Sequence, residues 1–445
     1  MTANSFEREP GCLSNRPQSH TLNKNQLPAE NMSNKTESSD RANGWFRQPW
    51  VFVVAGGLIM GLALGIRHAT GIFQVLITMD NAWAREAFGF SIAIQNLIWG
   101  LAQPFTGMLA DRFGSMRVII VGLILYAVGL ALMSIATTPL AFTLSAGLCI
   151  GIALSGTSFG VIYGALSRMV TPDRRSWALG LAGAVGGFGQ FAMVPLAQGL
   201  INSLSWSGAL VALAVVCALF LPLALPMRES ASPAPVLGAD QTMREALMEA
   251  FRHRGFWLLN LGFLACGFQL AFIASHLPAY LLDKGIPGNV AVAGLAIIAL
   301  SNVAGTYCCG VMGGLFRRKY LLSGIYLVRS LVMALFVLLP LTNWSLYLFC
   351  AAMGFIWLGT VPLTNGLVSQ VFGVKYITTL FGFVFFGHQV GAFFGVWLGG
   401  YMFDVTKSYD LIWLIGITLG VIAAALYFPI NDQEMPRLKL GYQPS

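Results

Sequence analysis

The sequence predicts an all-α polytopic membrane protein, with twelve transmembrane helices in two pseudo-symmetric six-helix bundles. Three observations carry this. Of 445 residues, 56% are hydrophobic and 10% are charged, against about 45–50% and about 25% in soluble domains. Such a chain, with a mean hydropathy of +0.70, cannot cover itself with polar surface, so its solvent is largely lipid. Twelve apolar stretches of about 20 residues follow Trp50, the length that crosses a bilayer as helix. Lys and Arg fall almost entirely on one side of that pattern.

Residues 1–44 are rich in Asn, Ser, Glu, Lys and Pro and hold no apolar run. They read as a disordered tail and, lacking a hydrophobic h-region, not as a signal peptide. The apolar stretches, called spans 1 to 12 here, lie at about 50–78, 88–110, 117–136, 140–166, 176–202, 207–227, 256–282, 289–313, 320–340, 343–370, 376–403 and 410–429. Most connections are short. The exception, 228–255, contains Pro233, Pro235, Asp240 and a basic end at Arg252, His253 and Arg254. It separates an N-terminal bundle, 45–227, from a C-terminal bundle, 256–430, and leaves a tail, 431–445.

With both termini inside, 21 of the 26 Lys and Arg are cytoplasmic, and Arg85, Lys284 and Lys407 are outside. This positive-inside pattern places the chain in a cell membrane (the inner membrane of a Gram-negative source). It accounts for the +8 net charge without a nucleic-acid partner. Six of the seven Cys (Cys149, Cys217, Cys266, Cys308, Cys309, Cys350) lie in apolar runs and read as small hydrophobes. A secreted disulfide scaffold is excluded, and no metal or cofactor is called for.

Arg67 in span 1 and Arg329 in span 9 are the two cations left inside the lipid. A charge there costs about 2.5–3.5 kcal/mol on insertion scales. None of the 18 acidic residues falls near the middle of a span: Asp111 ends span 2 and Asp404 ends span 11. Deep cations without deep anions leave a positive cavity, and a guanidinium fork suits a carboxylate. Backbone carbonyls could instead satisfy either Arg.

Three histidines also lie in spans. His388 is central in span 11 and could bind an anion, carry a proton or bond a neighbouring helix. His68 points about 100° away from Arg67. His276, high in span 7, suits a gate, a proton site or a structural bond. Gly57, Gly61 and Gly65 in span 1, and Gly387, Gly391, Gly395 and Gly399 in span 11, form stripes that admit close helix packing. Polar groups that could line a path are Tyr163, Gln190, Asn302, Gln95, Asn96, Gln103, Ser155, Thr157, Thr360, Thr364 and Asn365.

The connection after span 2 runs Gly107-Met108-Leu109-Ala110-Asp111-Arg112-Phe113-Gly114-Ser115-Met116-Arg117. It resembles the signature loop of the major facilitator superfamily, at its expected place. The resemblance covers roughly 45–430 and implies an alternating-access carrier with a cytoplasmic gate at Gly107, Asp111, Arg112, Gly114 and Arg117. The matching loop after span 8 has Gly314 where the acid would stand, followed by Arg317, Arg318 and Lys319. The cation in span 1, Pro172-Asp173-Arg174-Arg175 with Gly180 beyond, and the polar centre of span 11 resemble the monocarboxylate transporter and oxalate–formate antiporter branch. That branch usually has an arginine in span 8, where this chain offers Asn302.

The resulting expectation is a monomeric secondary transporter of a small monocarboxylate-like organic anion, proton-coupled as a symporter. Arg67, His388, Asn302, Tyr163, Gln190 and Arg329 are expected at the substrate, and His388 or His276 at the proton. Alternatives are an anion exchanger, an exporter of drugs or amphipathic metabolites, and a channel. Gly156-Thr157-Ser158-Phe159-Gly160 matches the serine-hydrolase G-x-S-x-G pattern. It lies in an apolar helix with no deep acid, so no enzyme is expected. No Walker loop is present to hydrolyse ATP.

Overall fold

The computed structural model describes residues 48–83, 85–229 and 241–439, except for a few side chains including Arg85 and Asp404. The tail 1–44 and the prolines of the central connection lie outside the described residues. Among the described residues, ten helical stretches are long and apolar enough to cross a membrane. One of them, Pro172–Met227, has 56 residues and contains two crossings, because Ser205 leaves the helical region with φ 71 and ψ 170. Spans 5 and 6 are therefore two helices within Pro172–Leu219, separated by a kink at Ser205, in the gap expected between them. The twelfth crossing is span 2, Arg85–Phe113, whose Gln95, Asn96 and Gln103 dilute its apolar character.

The remaining spans follow in order. Span 1 is Pro49–Ala69, tightened into a 3-10 turn at Thr70–Phe73 and continued by Gln74–Asp80. Span 3 is Ser115–Ser134. Span 4 combines Pro139–Phe142, a π segment Thr143–Cys149, Ile150–Thr157 and Phe159–Met169, and breaks at Ser158. Span 7 is Arg254–Asp283, span 8 Gly288–Leu315 and span 9 Arg318–Leu338. Span 10 is split into Asn343–Phe355 and Thr360–Phe372. Span 11 is Ile377–Thr406 and span 12 is Asp410–Tyr427.

The glycine stripes seat the longest contacts within each half. A Cβ on Gly61 would stand 3.1 Å from the Gly189 Cα, so span 1 lies directly on span 5. A Cβ on Gly391 would strike the Leu264 carbonyl, so span 11 lies on span 7. Spans 2 and 5 of the first half face spans 11 and 8 of the second. Gly180 of span 5 meets Gly310 of span 8 backbone to backbone.

The central connection is not all loop. Met243–Arg252 is helical, started by a capping box in which Thr242 and Glu245 bond each other's backbone. Glu249 pairs with Arg437 at 2.9 Å, and Gln241 accepts from Lys375 Nζ at 2.8 Å. The helix is thereby fastened to the C-terminal half.

Candidate functional site

Arg67 lies in the last turn of the regular part of span 1, just before the helix tightens. Asn96 and Trp99, three residues apart on span 2, share a helix face and receive it. The guanidinium Nη2 donates to Asn96 Oδ1, and its carbon stands 5.1 Å from the Trp99 ring centroid. Arg67 Nε is buried and has no hydrogen-bond partner. A guanidinium carries five N–H donors, so the fork has capacity left for an acceptor with two oxygens.

The site continues into the other half through aromatic rings. Trp99 packs on Phe385 at 5.0 Å. Phe385 lies parallel to the His388 imidazole, 5.4 Å away and tilted by 9°. Phe263 closes on His388 at 4.8 Å. His388 Nδ1 and Gln389 Oε1 are 3.2 Å apart, while His388 Nε2 is buried without a partner. Gln389 Nε2 donates to the Asn96 carbonyl at 3.4 Å. Arg67 and His388 therefore occupy the two ends of a row of rings that crosses between the halves, and one Asn–Gln contact ties the row together.

The other expected residues lie in different settings. Asn302 is buried, and its Oδ1 accepts from Thr306 Oγ1 at 3.0 Å and from the Leu358 N–H at 3.1 Å. It holds the break in span 10. Arg329 is fully buried and holds the same break: its Nη2 donates to the carbonyls of Ile356 at 2.5 Å and Trp357 at 3.0 Å. Tyr163 is buried on the second half of span 4, against Gly183 and Thr306, and its hydroxyl has no partner. Gln190 is half-buried in span 5 between exposed Phe188 and Phe191. His276 bonds the Val396 carbonyl at 2.9 Å and Tyr409 at 3.4 Å, which fastens span 7 to spans 11 and 12. His68 is exposed. Among the described residues no three His, Cys, Asp or Glu side chains gather as metal ligands.

The signature loop closes one end of the molecule. Asp111 accepts from Thr378 N at 3.3 Å, Thr379 N at 2.7 Å and Thr379 Oγ1 at 2.6 Å. A carboxylate thus caps the N-terminus of span 11 from the opposite half, where backbone N–H groups and the helix dipole favour negative charge. Arg168, at the end of span 4, pairs with Asp111 at 2.6 Å and Glu229 at 2.9 Å. It also donates to Thr378 at 2.9 Å. Arg168 and Glu229 were not singled out in the sequence. Arg112 and Arg117 are exposed, with Arg112 over the Phe113 ring. Across the pseudo-symmetric loop, Arg318 bridges to Ser176 at 2.7 Å and bonds Gln370. Arg317 pairs with Asp432, beyond span 12, at 2.5 Å.

The comparisons with known proteins agree with this architecture. The family model described as Major Facilitator Superfamily matches residues 50–396. The chain belongs to this superfamily. Its members are transporters, so the protein is a multi-pass membrane transporter and not an enzyme. Monocarboxylate transporter 13 of Bos taurus is 29% identical over 394 residues, covering 85% of this chain and 87% of the relative. The oxalate:formate antiporter of Oxalobacter formigenes is 21% identical, covering 89% and 94%. The Escherichia coli fucose:proton symporter superposes with a TM-score of 0.66 at 18% identity, over 84% of this chain and 97% of that one. It shares the fold.

Proposed function

We propose that this transporter moves a small organic anion of the monocarboxylate class, with a proton, by alternating access. The observation that carries the reading is the half-buried Arg67 guanidinium, whose Nε has no partner and whose side-chain acceptor is a neutral amide. A carboxylate would replace a neutral acceptor with a charged one, and charge-assisted pairs are roughly twice as strong. Arg67 then holds the anion against Trp99. His388, with its free Nε2, donates to the anion or takes the proton. Tyr163, Gln190 and Asn302 line the path toward the Asp111 end, and Arg329 braces the split span 10 beside it. The names of the relatives support the substrate class.

The hydrogen bonds described between the two halves run from Asn96–Gln389 to the Asp111 cluster. With the basic loops cytoplasmic, this is the state closed toward the cytoplasm. Gly107, Asp111, Gly114 and the basic loop residues form the gate. Each monomer contains a complete path in the cell membrane, with both termini cytoplasmic. Anion exchange is the second reading, favoured by the antiporter among the relatives.

Uptake of a panel of small carboxylates into proteoliposomes, with and without an imposed pH gradient, tests the proposal. Symport predicts accumulation driven by the gradient. Exchange predicts stimulation by internal carboxylate and indifference to pH. Absence of carboxylate flux under every condition overturns both.

A further inference from the structure

The two halves are fastened unequally at the end that holds the signature loop. On one seam the Asp111 carboxylate sits between the Arg168 guanidinium and the first residues of span 11. The pseudo-symmetric seam lies between spans 8 and 5, where Gly310 and Gly314 repeat the spacing of Gly107 and Asp111. Gly107 lies on the Thr378 carbonyl of span 11, and Gly310 lies on the Ser176 carbonyl of span 5. Gly314 therefore occupies the place of the acid and brings no side chain to it.

The cations of that seam remain. Arg318 Nη2 donates to Ser176 Oγ at 2.7 Å, Nη1 donates to Gln370 Oε1, and Nε lies against Gly366 of span 10. Arg175, next to Ser176 in span 5, donates from Nε to the Ser167 carbonyl at 3.0 Å. Ser167 Oγ in turn donates to Asn365 Oδ1 at 3.0 Å, and Asn365 adjoins Gly366. One guanidinium from each half thus borders the same small group of residues. Both arginines are half-buried, and all the acceptors named are neutral. Among the described residues neither forms an ion pair with a carboxylate. Asp432 has both oxygens on Arg317, and Glu434 is exposed. Asn365 is fully buried and its Nδ2 has no partner. Gly314 is exposed, and a Cβ there would meet only Ser176, at 3.5 Å. The vacant place is open to a small molecule. Two like charges in a partly buried seam repel unless an anion lies between them.

We propose that this seam holds a small oxyanion between Arg175 and Arg318, with the Asn365 amide as a further donor, where the acid is absent. Guanidinium forks suit phosphate oxygens. The oxyanion comes either from solution, as phosphate, or from the phosphodiester of a lipid headgroup. The Asp111 fastening belongs to the chain, whereas this one is exchangeable, so closure of this end responds to the anion supply. The site shares no residue with the Arg67 and His388 row and does not rest on the carboxylate reading.

The test dialyses the full chain in detergent to equilibrium against radiolabelled inorganic phosphate at constant ionic strength. Saturable binding of one phosphate per chain is expected. Gly314→Asp supplies the missing carboxylate where there is room for it and should weaken binding by at least about tenfold, the value of one charged hydrogen bond. Arg175→Gln should weaken it equally, and Arg67→Gln should bind as the unsubstituted chain does. Absence of saturable binding overturns the proposal, as does undiminished binding by Gly314→Asp. Loss of binding in Arg67→Gln places the anion in the other site and also overturns it. If Arg175→Gln does not fold, Gly314→Asp, which keeps both arginines, decides. Nanodiscs of phosphatidylcholine with and without phosphatidylglycerol then identify the source. Displacement of phosphate by phosphatidylglycerol supports a lipid headgroup as occupant, and undisturbed binding supports the free oxyanion.

Discussion

The Asp111 carboxylate of span 2 accepts the backbone N–H of Thr379 in span 11 at 2.7 Å. A side chain of one half thus completes the helix start of the other, and the end of the molecule that holds the signature loop cannot open without exposing those N–H groups. Asp111→Asn keeps the shape but weakens the cap and the Arg168 pair. Turnover should fall by about tenfold while apparent affinity stays within about twofold, since charged hydrogen bonds contribute about 1.5–3 kcal/mol. Initial rates across a concentration series check this. Collapse of affinity with normal cycling contradicts it.

Gly107 has no room for a side chain in this state. A Cβ there would stand 2.6 Å from the Thr378 carbonyl oxygen and 2.9 Å from the Thr379 Cα, both rigid backbone. Gly107→Ala should favour the opposite conformer. Cysteine reporters near Ser176 should then label faster from the Asp111 end, by about tenfold. Unchanged labelling would show that the interface yields instead.

Arg67→Gln keeps a donor near Asn96 and removes the charge. Carboxylate uptake should drop by at least about a hundredfold with normal membrane expression, the loss expected for a desolvated charge pair. Arg67→Lys should recover little, because an ammonium lacks the planar fork. Unaltered apparent affinity in either variant removes Arg67 from the substrate.

His388→Gln separates a titrating role from a hydrogen-bonding one. Glutamine can donate but cannot carry a proton. Under symport the variant loses accumulation driven by a pH gradient yet retains measurable exchange between internal and external carboxylate. Survival of gradient-driven accumulation assigns the proton elsewhere.

Beyond the end of span 12, two hydrogen bonds from Arg317 hold the Asp432 carboxyl below the usual carboxylate range. A depressed carboxylate stabilises the fold above its unfolded value, near pH 3.9, and that contribution disappears as acid protonates it. Arg317 is 56% exposed, so solvent screens the pair and the contribution is small. Asp432→Asn should lower the melting temperature in detergent by about 1–3 °C at neutral pH. The gap should close at about pH 3; a gap that persists there would mean packing, not charge.

The number of crossings, the cation in span 1 and the glycine stripes were legible because lipid imposes simple rules on length, charge and close approach. The stripes work as their spacing implies, with Gly61 on Gly189 and Gly391 on Leu264. What the sequence did not yield depends on contacts between distant residues. Nothing local marks Arg168 as the partner of Asp111, 57 positions away, or Asp432 as the partner of Arg317, 115 positions away. The split in span 10 has a faint signal in Gly354 and Gly359, but its braces, Asn302 and Arg329, come from other spans. The helix at Met243–Arg252 was announced by Thr242 and Glu245, a capping pair that the prolines upstream obscured.

Gly180 and Gly310 meet with no side chains between them. Interlocking side chains fix the register of two helices, and a bare backbone seam does not. Such a seam behaves as a smooth bearing, on which the halves can roll with little to disengage. Under the alternating-access reading, resistance to switching is then concentrated in the polar fastenings at the Asp111 end. A carrier built this way can have its cycling speed retuned by single substitutions at that end while the binding site is left untouched.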